Sequence, residues 1–190
     1  IRLSNATAVL YLTAAARYRA HVLSDPEEKI LGEAANTGRN AFSRLFDELL
    51  AAMAFRVRDE QGHEESLSEE EVLARLYEPQ RERRRAAAQG LSEGLGAHAR
   101  VLGVIFNTLV QDKAVDDRLR RYATPMAARH LANEIDTASV DSLLSACVAR
   151  YPLVARYYRL KAKLLGLPRL ADYDRYAPLG DDAALRTFAE

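Results

Sequence analysis

The chain has 190 residues, of which 48% are hydrophobic, enough for one sizeable core or for one domain with part of another. Lys and Arg together number 27 and so do Asp and Glu, so the net charge is zero, which argues against a general polyanion binder such as a nucleic-acid protein. A lone cysteine, Cys147, rules out an internal disulfide and suits a reduced, cytoplasmic setting. No apolar run approaches the ~18 residues of a membrane span, and no signal-peptide pattern is present.

Taken in order, the chain reads as a series of helices. Ser24-Asp25-Pro26-Glu27 is a capping box with proline in the first turn. Phe42, Leu45, Phe46, Leu49, Leu50 and Met53 then fall at helical spacing on one stripe. The next segment, 54–68, breaks that period. It alternates in part and turns at Gln61-Gly62, which predicts a short hairpin with Phe55 and Val57 on one side and Leu67 on the other. A lone hairpin is weak, so it has to pack on helices. Ser68 with Glu71 is a second capping box.

Residues 79–112 are expected to form one long helix. Gly90, Gly94, Gly96 and Gly103 would each cost up to about 1 kcal/mol there, and their spacing points to close packing or a bend. Thr124-Pro125 and Asp136 are the next helix starts. Val140, Leu143, Leu144, Cys147, Val148 and Tyr151 form a further stripe, on which Cys147 is expected to be a small core residue. Leu153, Tyr157, Leu160 and Leu164 continue the period after Pro152, and Gly166 followed by Pro168 predicts a left-handed C-cap and a stop. The fold class is therefore mainly α, with about seven or eight helices and one β-hairpin near residues 54–67.

No catalytic constellation emerges from local motifs. His63-Glu64-Glu65 opens like a zinc-peptidase motif, but that chemistry needs a second histidine four residues on, and Leu67 stands there. His21 and His98 have no metal-ligand neighbour at helical spacing. His130 and Glu134 would share a helix face, two ligands at best. No phosphate loop and no nucleophile elbow occur. The basic clusters Arg81-Glu82-Arg83-Arg84-Arg85 and Arg118, Arg120, Arg121 are read as solvated helix faces with Glu78, Asp116 and Asp117 as partners. Catalytic, metal and cofactor-binding residues are accordingly expected to be none in this chain. Read from residues alone, it is a helical domain without an active site, and a stand-alone interaction module is one function that fits.

Whole stretches resemble a known family. LSDPEEKILGEAANTGRNAFSRLFDELLAAMAF resembles the N-terminal region of the oligoendopeptidase F family, zinc-dependent relatives of thimet oligopeptidase. LSEEEVLARLYEPQRERRRAAAQGLSEGL, IFNTLVQDKAVDDRLRRYATPMAARHLANEI and YYRLKAKLLGLPRLADYDRYAPL fit the same family, so the resemblance runs from about residue 20 to 179. It implies a two-lobed, mostly helical peptidase whose lobes enclose a channel for short, unstructured oligopeptides. In such an enzyme zinc polarises the scissile carbonyl and a glutamate takes the proton of the attacking water. The zinc ligands and catalytic base of the family lie in a later, catalytic lobe, so none can be carried onto this sequence. By this resemblance residues 1–172 form the N-terminal lobe that roofs the channel. Residues 173–190 form a connector, with DDAALRTFAE as the first turns of the catalytic lobe. Such a roofing lobe would expose apolar surface and self-associate, and it would bind neither membrane nor nucleic acid.

Overall fold

A computed structural model describes residues 5–180. Eight α-helices, two strands and a turn of 3-10 helix succeed one another in the order α1 (Asn5–Tyr18), α2 (Asp25–Thr37), α3 (Arg39–Ala52), β1 (Phe55–Arg58), β2 (Glu64–Leu67), α4 (Glu69–Arg75), α5 (Arg81–Ala97), α6 (Ala99–Leu119), α7 (Ala127–Ala132), α8 (Thr137–Leu164) and the 3-10 turn Asp172–Asp174. The mainly α reading with one hairpin holds. The chain divides into two compact units, one built from Ile1–Leu45 with Val104–Ala149 and the other from Phe46–Gly103 with Arg150–Glu190. DDAALRTFAE lies outside the described residues.

The second unit carries the clearest core. Met53, Phe55, Val72 and Ala87 are buried, with Leu49, Leu50, Val57, Leu67, Leu76, Leu91, Leu95 and Leu102 packed around them. The hairpin is antiparallel with Phe55 opposite Leu67 and Val57 opposite Glu65, which turns Phe55 onto the helices. Fully burying that ring is worth about 1.5–3 kcal/mol. Gly62, at φ +83°, makes the left-handed turn residue between the strands. Two of the four glycines have a steric purpose. A Cβ on Gly90 would lie 2.5 Å from the Arg56 carbonyl oxygen, and one on Gly94 would lie 2.5 Å from the Phe55 ring. The i, i+4 pair thus clears a track along α5 on which β1 rests. Gly96 and Gly103 face open space.

The expected long helix over 79–112 is broken at His98. Its backbone sits at φ −107°, ψ 6°, and its N–H donates to Leu95 O rather than continuing the four-residue ladder. The His98 ring nitrogen Nδ1 takes up the Gly94 carbonyl at 3.0 Å, supplying the partner that the turned backbone abandons.

In the first unit, the Arg120 guanidinium grips both Glu28 oxygens at 2.7 and 2.8 Å and donates to Asp116 at 2.9 Å. That fixes the start of α2 to the end of α6. His21 closes the same corner: its Nδ1 lies 2.8 Å from Arg120 O and its ring stacks on Tyr122 at 3.9 Å.

The caps explain most helix ends. Glu27 accepts the Ser24 N–H at 2.9 Å and its hydroxyl at 2.6 Å. Ser68 and Glu71 cap reciprocally, and Asp136 accepts the Ser139 N–H at 2.7 Å. Thr124-Pro125 form the turn ahead of α7, which begins two residues later than the sequence signal, with Ala127 N–H donating to Thr124 O. Helix α8 ends as expected: Gly166 has φ +66°, Leu167 N–H reaches Ala162 O and Gly166 N–H reaches Lys163 O. The same bond pair ends α6 at Arg121 and α7 at Glu134, both left-handed without being glycine.

The stripe on α8 is a correction. Leu143, Leu144, Val148 and Tyr151 are each more than half exposed and Cys147 is exposed, so Cys147 is not a core residue here. The spacing identifies an amphipathic helix. It does not say whether another element covers the apolar face.

Candidate functional site

The segment after α8 is the most strongly built polar feature of the second unit. Arg81 and Arg84 are three apart on α5, so both side chains leave the same face of the helix. They converge on Asp174, which is 0% exposed. Arg81 donates through Nε (3.1 Å to Oδ1) and Nη2 (3.0 Å to Oδ2), and Arg84 Nη2 donates to Oδ1 at 3.0 Å. The Ala171 N–H adds a bond to Oδ2 at 2.9 Å. Arg84, 2% exposed, spends its other donors on Tyr173 O, Glu78 O and Pro79 O at 3.1, 2.7 and 2.8 Å. Lys161, 4% exposed at the end of α8, donates to Arg175 O at 2.7 Å.

Burial opposes ionisation of Asp174, but hydrogen bonds from Arg81, Ala171 and Arg84 outweigh it and hold the carboxyl below its ordinary range. Burial lowers the Lys161 ammonium, and the neighbouring Arg84 charge adds to that effect. Tyrosines finish the docking. Tyr176 stacks on Tyr77 at 4.5 Å, Arg175 lies over the Tyr176 ring and Arg81 lies over the Tyr173 ring. Breaking such a buried pair from one side leaves an uncompensated charge, which makes the cluster a determinant of where residues 171–177 lie.

Beside it, a cleft of about 500 Å³ opens between the hairpin turn and the first turns of α5, lined among others by Arg58, His63, Glu65, Arg75, Arg81 and Arg85. Its guanidiniums are already paired: Arg58 with Glu64, Arg75 with Glu65 and Glu78, Arg85 with Glu82. Its lining brings no nucleophile and base within bonding reach of each other. Among the described residues, no group of three His, Cys, Asp or Glu side chains could hold a metal ion. His63 lies at the hairpin turn, its N–H bonded to Asp59, and Glu64 is in β2, so this trio is not a helical metal motif. His130 and Glu134 do not share a helix face, because α7 ends at Ala132 and Glu134 sits in a left-handed turn; the His130 ring instead meets Thr137 Oγ1 at 3.3 Å.

The reading of Arg81–Arg85 as one solvated face therefore needs correcting for Arg84 and, in part, for Arg81. Two of the acidic partners named from sequence are in place, Arg83 pairing with Glu78 and Arg120 with Asp116, whereas Asp117 pairs with Lys113. The sequence signal that points to Asp174 is weak but real: two arginines three apart ahead of an alanine run, and one acid among tyrosines downstream.

Comparison with known proteins agrees with these elements. The family model described as Oligopeptidase F matches residues 7–55. Oligopeptidase PepF of Bacillus subtilis (strain 168) is 28% identical over 176 residues, which are 90% of this chain and 26% of that protein. Over most of its length the chain is similar to members of the oligoendopeptidase F family. What matches is the family's N-terminal region. Group B oligopeptidase PepB of Streptococcus agalactiae is 28% identical over 84% of this chain and 27% of its own length. The crystal structure of oligoendopeptidase-F from Enterococcus faecium superposes with a TM-score of 0.80 at 27% identity, covering 94% of this chain and 36% of that one. The chain thus spans about a quarter of the length of the curated relatives it matches.

Proposed function

We propose that this chain is the channel-roofing N-terminal lobe of a zinc-dependent oligopeptidase that hydrolyses short, unstructured peptides. The observation that carries this reading is the match of nearly the whole chain to about a quarter of proteins named oligopeptidases. In this reading residues 1–172 form the lobe and 173–190 lead towards the catalytic part. The docked Asp174 segment then serves to fix the path by which the chain leaves α8. The described residues do not fit a zinc ion, so no step of hydrolysis is assigned to any of them. Their part is to shape access: a helical roof admits extended peptides and turns away folded proteins.

The enzyme is expected to act in the cytoplasm, where an exposed, unpaired Cys147 stays reduced. No helix among the described residues is long and apolar enough to cross a membrane. Nucleic acid and membrane are not expected partners. The chain by itself is expected to self-associate through the apolar face that α8 leaves uncovered. That face also favours the second reading, a stand-alone interaction module. Sequencing the gene downstream of the codon for Glu190 separates the two. An open frame containing His-Glu-x-x-His supports the peptidase, and an immediate stop codon supports the module.

A further inference from the structure

The cluster at Asp174 is unbalanced. One carboxylate pairs with two guanidiniums of α5, the half-buried Arg81 and the buried Arg84, while the buried Lys161 of α8 donates to the nearby Arg175 carbonyl. Part of the cationic side is anchored outside the segment that carries the acid. Arg84 is oriented by Glu78 O and Pro79 O, which precede α5, and this aims its Nη2 at the carboxylate position. The segment holds on through polar groups: the Asp174 carboxylate and the carbonyls of Tyr173 and Arg175. Its own apolar contribution is small: Ala177 is its only buried hydrophobic side chain, and Tyr176, 40% exposed, adds its stack on Tyr77. Arg81 is 36% exposed and also lines the neighbouring cleft, which gives solutes a route to the site.

We propose that Arg81 and Arg84 form a carboxylate receptor, and that Asp174 occupies it as an internal ligand, making residues 171–177 a latch closed by one charge. A small carboxylate supplied from solution fills the same receptor when the Asp174 side chain is absent. The inference does not depend on the peptidase reading, since the receptor and its ligand both lie within the described chain.

The test uses the 190-residue chain with Asp174→Ala and formate as the probe. Hydrogen exchange at the amides of Asp174, Arg175 and Ala177, each bonded within the segment, is expected to speed up by at least ~10-fold. The hairpin amides are expected to stay protected. Formate should restore the slow exchange and raise Tm in a saturable way. Sodium chloride at equal ionic strength should not, and formate should not act on the wild type or on Asp174→Ala combined with Arg84→Met. Unchanged exchange of 171–177 in Asp174→Ala overturns the proposal, as does a formate effect no greater than that of chloride. Asp174→Asn keeps the volume and removes the charge. If hairpin protection is lost in both single variants, Asp174 is part of the core and not a latch, which also overturns it.

Discussion

Gly90→Ala is expected to destabilise the chain although it improves helix propensity. The new Cβ would meet Arg56 O at 2.5 Å, Val57 Cγ2 at 3.1 Å and Arg56 C at 3.2 Å. Carbon contacts are comfortable near 3.5 Å, so backbone must move by roughly 1 Å. The obstacle cannot simply rotate away: Arg56 lies opposite Ser66 in the hairpin, and Phe55 next to it is fully buried. Overpacking of this kind costs about 1–3 kcal/mol, against a gain of about 1 kcal/mol for replacing a helical glycine. The net is a loss of up to about 2 kcal/mol. Gly103→Ala is the control. It lies inside α6 with nothing within 4 Å of the new Cβ, so the propensity gain of up to about 1 kcal/mol stands alone. Urea denaturation monitored by circular dichroism should move the midpoint down for Gly90→Ala and up for Gly103→Ala. A Gly90→Ala chain stabilised as much as Gly103→Ala would refute the close approach of β1 to α5.

Glu134→Gly should raise stability by up to about 1 kcal/mol, since Glu134 holds a left-handed conformation that glycine adopts freely; a fall in Tm would contradict the cap geometry. Glu28 should titrate at about 2, pushed down first by its hydrogen bonds from Arg120 and the Leu23 N–H. Its folded-state pKa lies below the ordinary 4.5, so its contribution to stability is complete above that value and lost as pH falls towards 2. A carboxyl NMR titration checks this, and a midpoint near 4.5 would show that the Arg120 clamp is not formed. Cys147 should react fully with a thiol reagent in the folded chain at a dilution where it is monomeric, and protection there until unfolding would return it to a core.

What could be read from the sequence was local. Ser68 with Glu71, Asp136 and Gly166 reveal themselves because a cap is complete within six residues. The hairpin is legible because its turn and its alternation lie within 14 residues of each other. The ends at Arg121 and Glu134 are chemically the same as the one at Gly166, yet no glycine marks them. The break at His98 rests on a ring nitrogen replacing a backbone donor, which no propensity records. Asp174 and Arg84 are 90 residues apart, so their pairing depends on the path of everything between them. Cys147 shows the reverse failure: periodicity fixes the face of α8 and leaves its cover undetermined.

Hydrolysis of a quenched fluorogenic peptide by the purified 190-residue chain, with and without added zinc, tests the central claim most directly. The expected result is no cleavage under either condition and no stoichiometric zinc, because the described residues bring no metal-binding group together. Zinc-dependent turnover by this chain alone would contradict the assignment of the chemistry to another part of the enzyme.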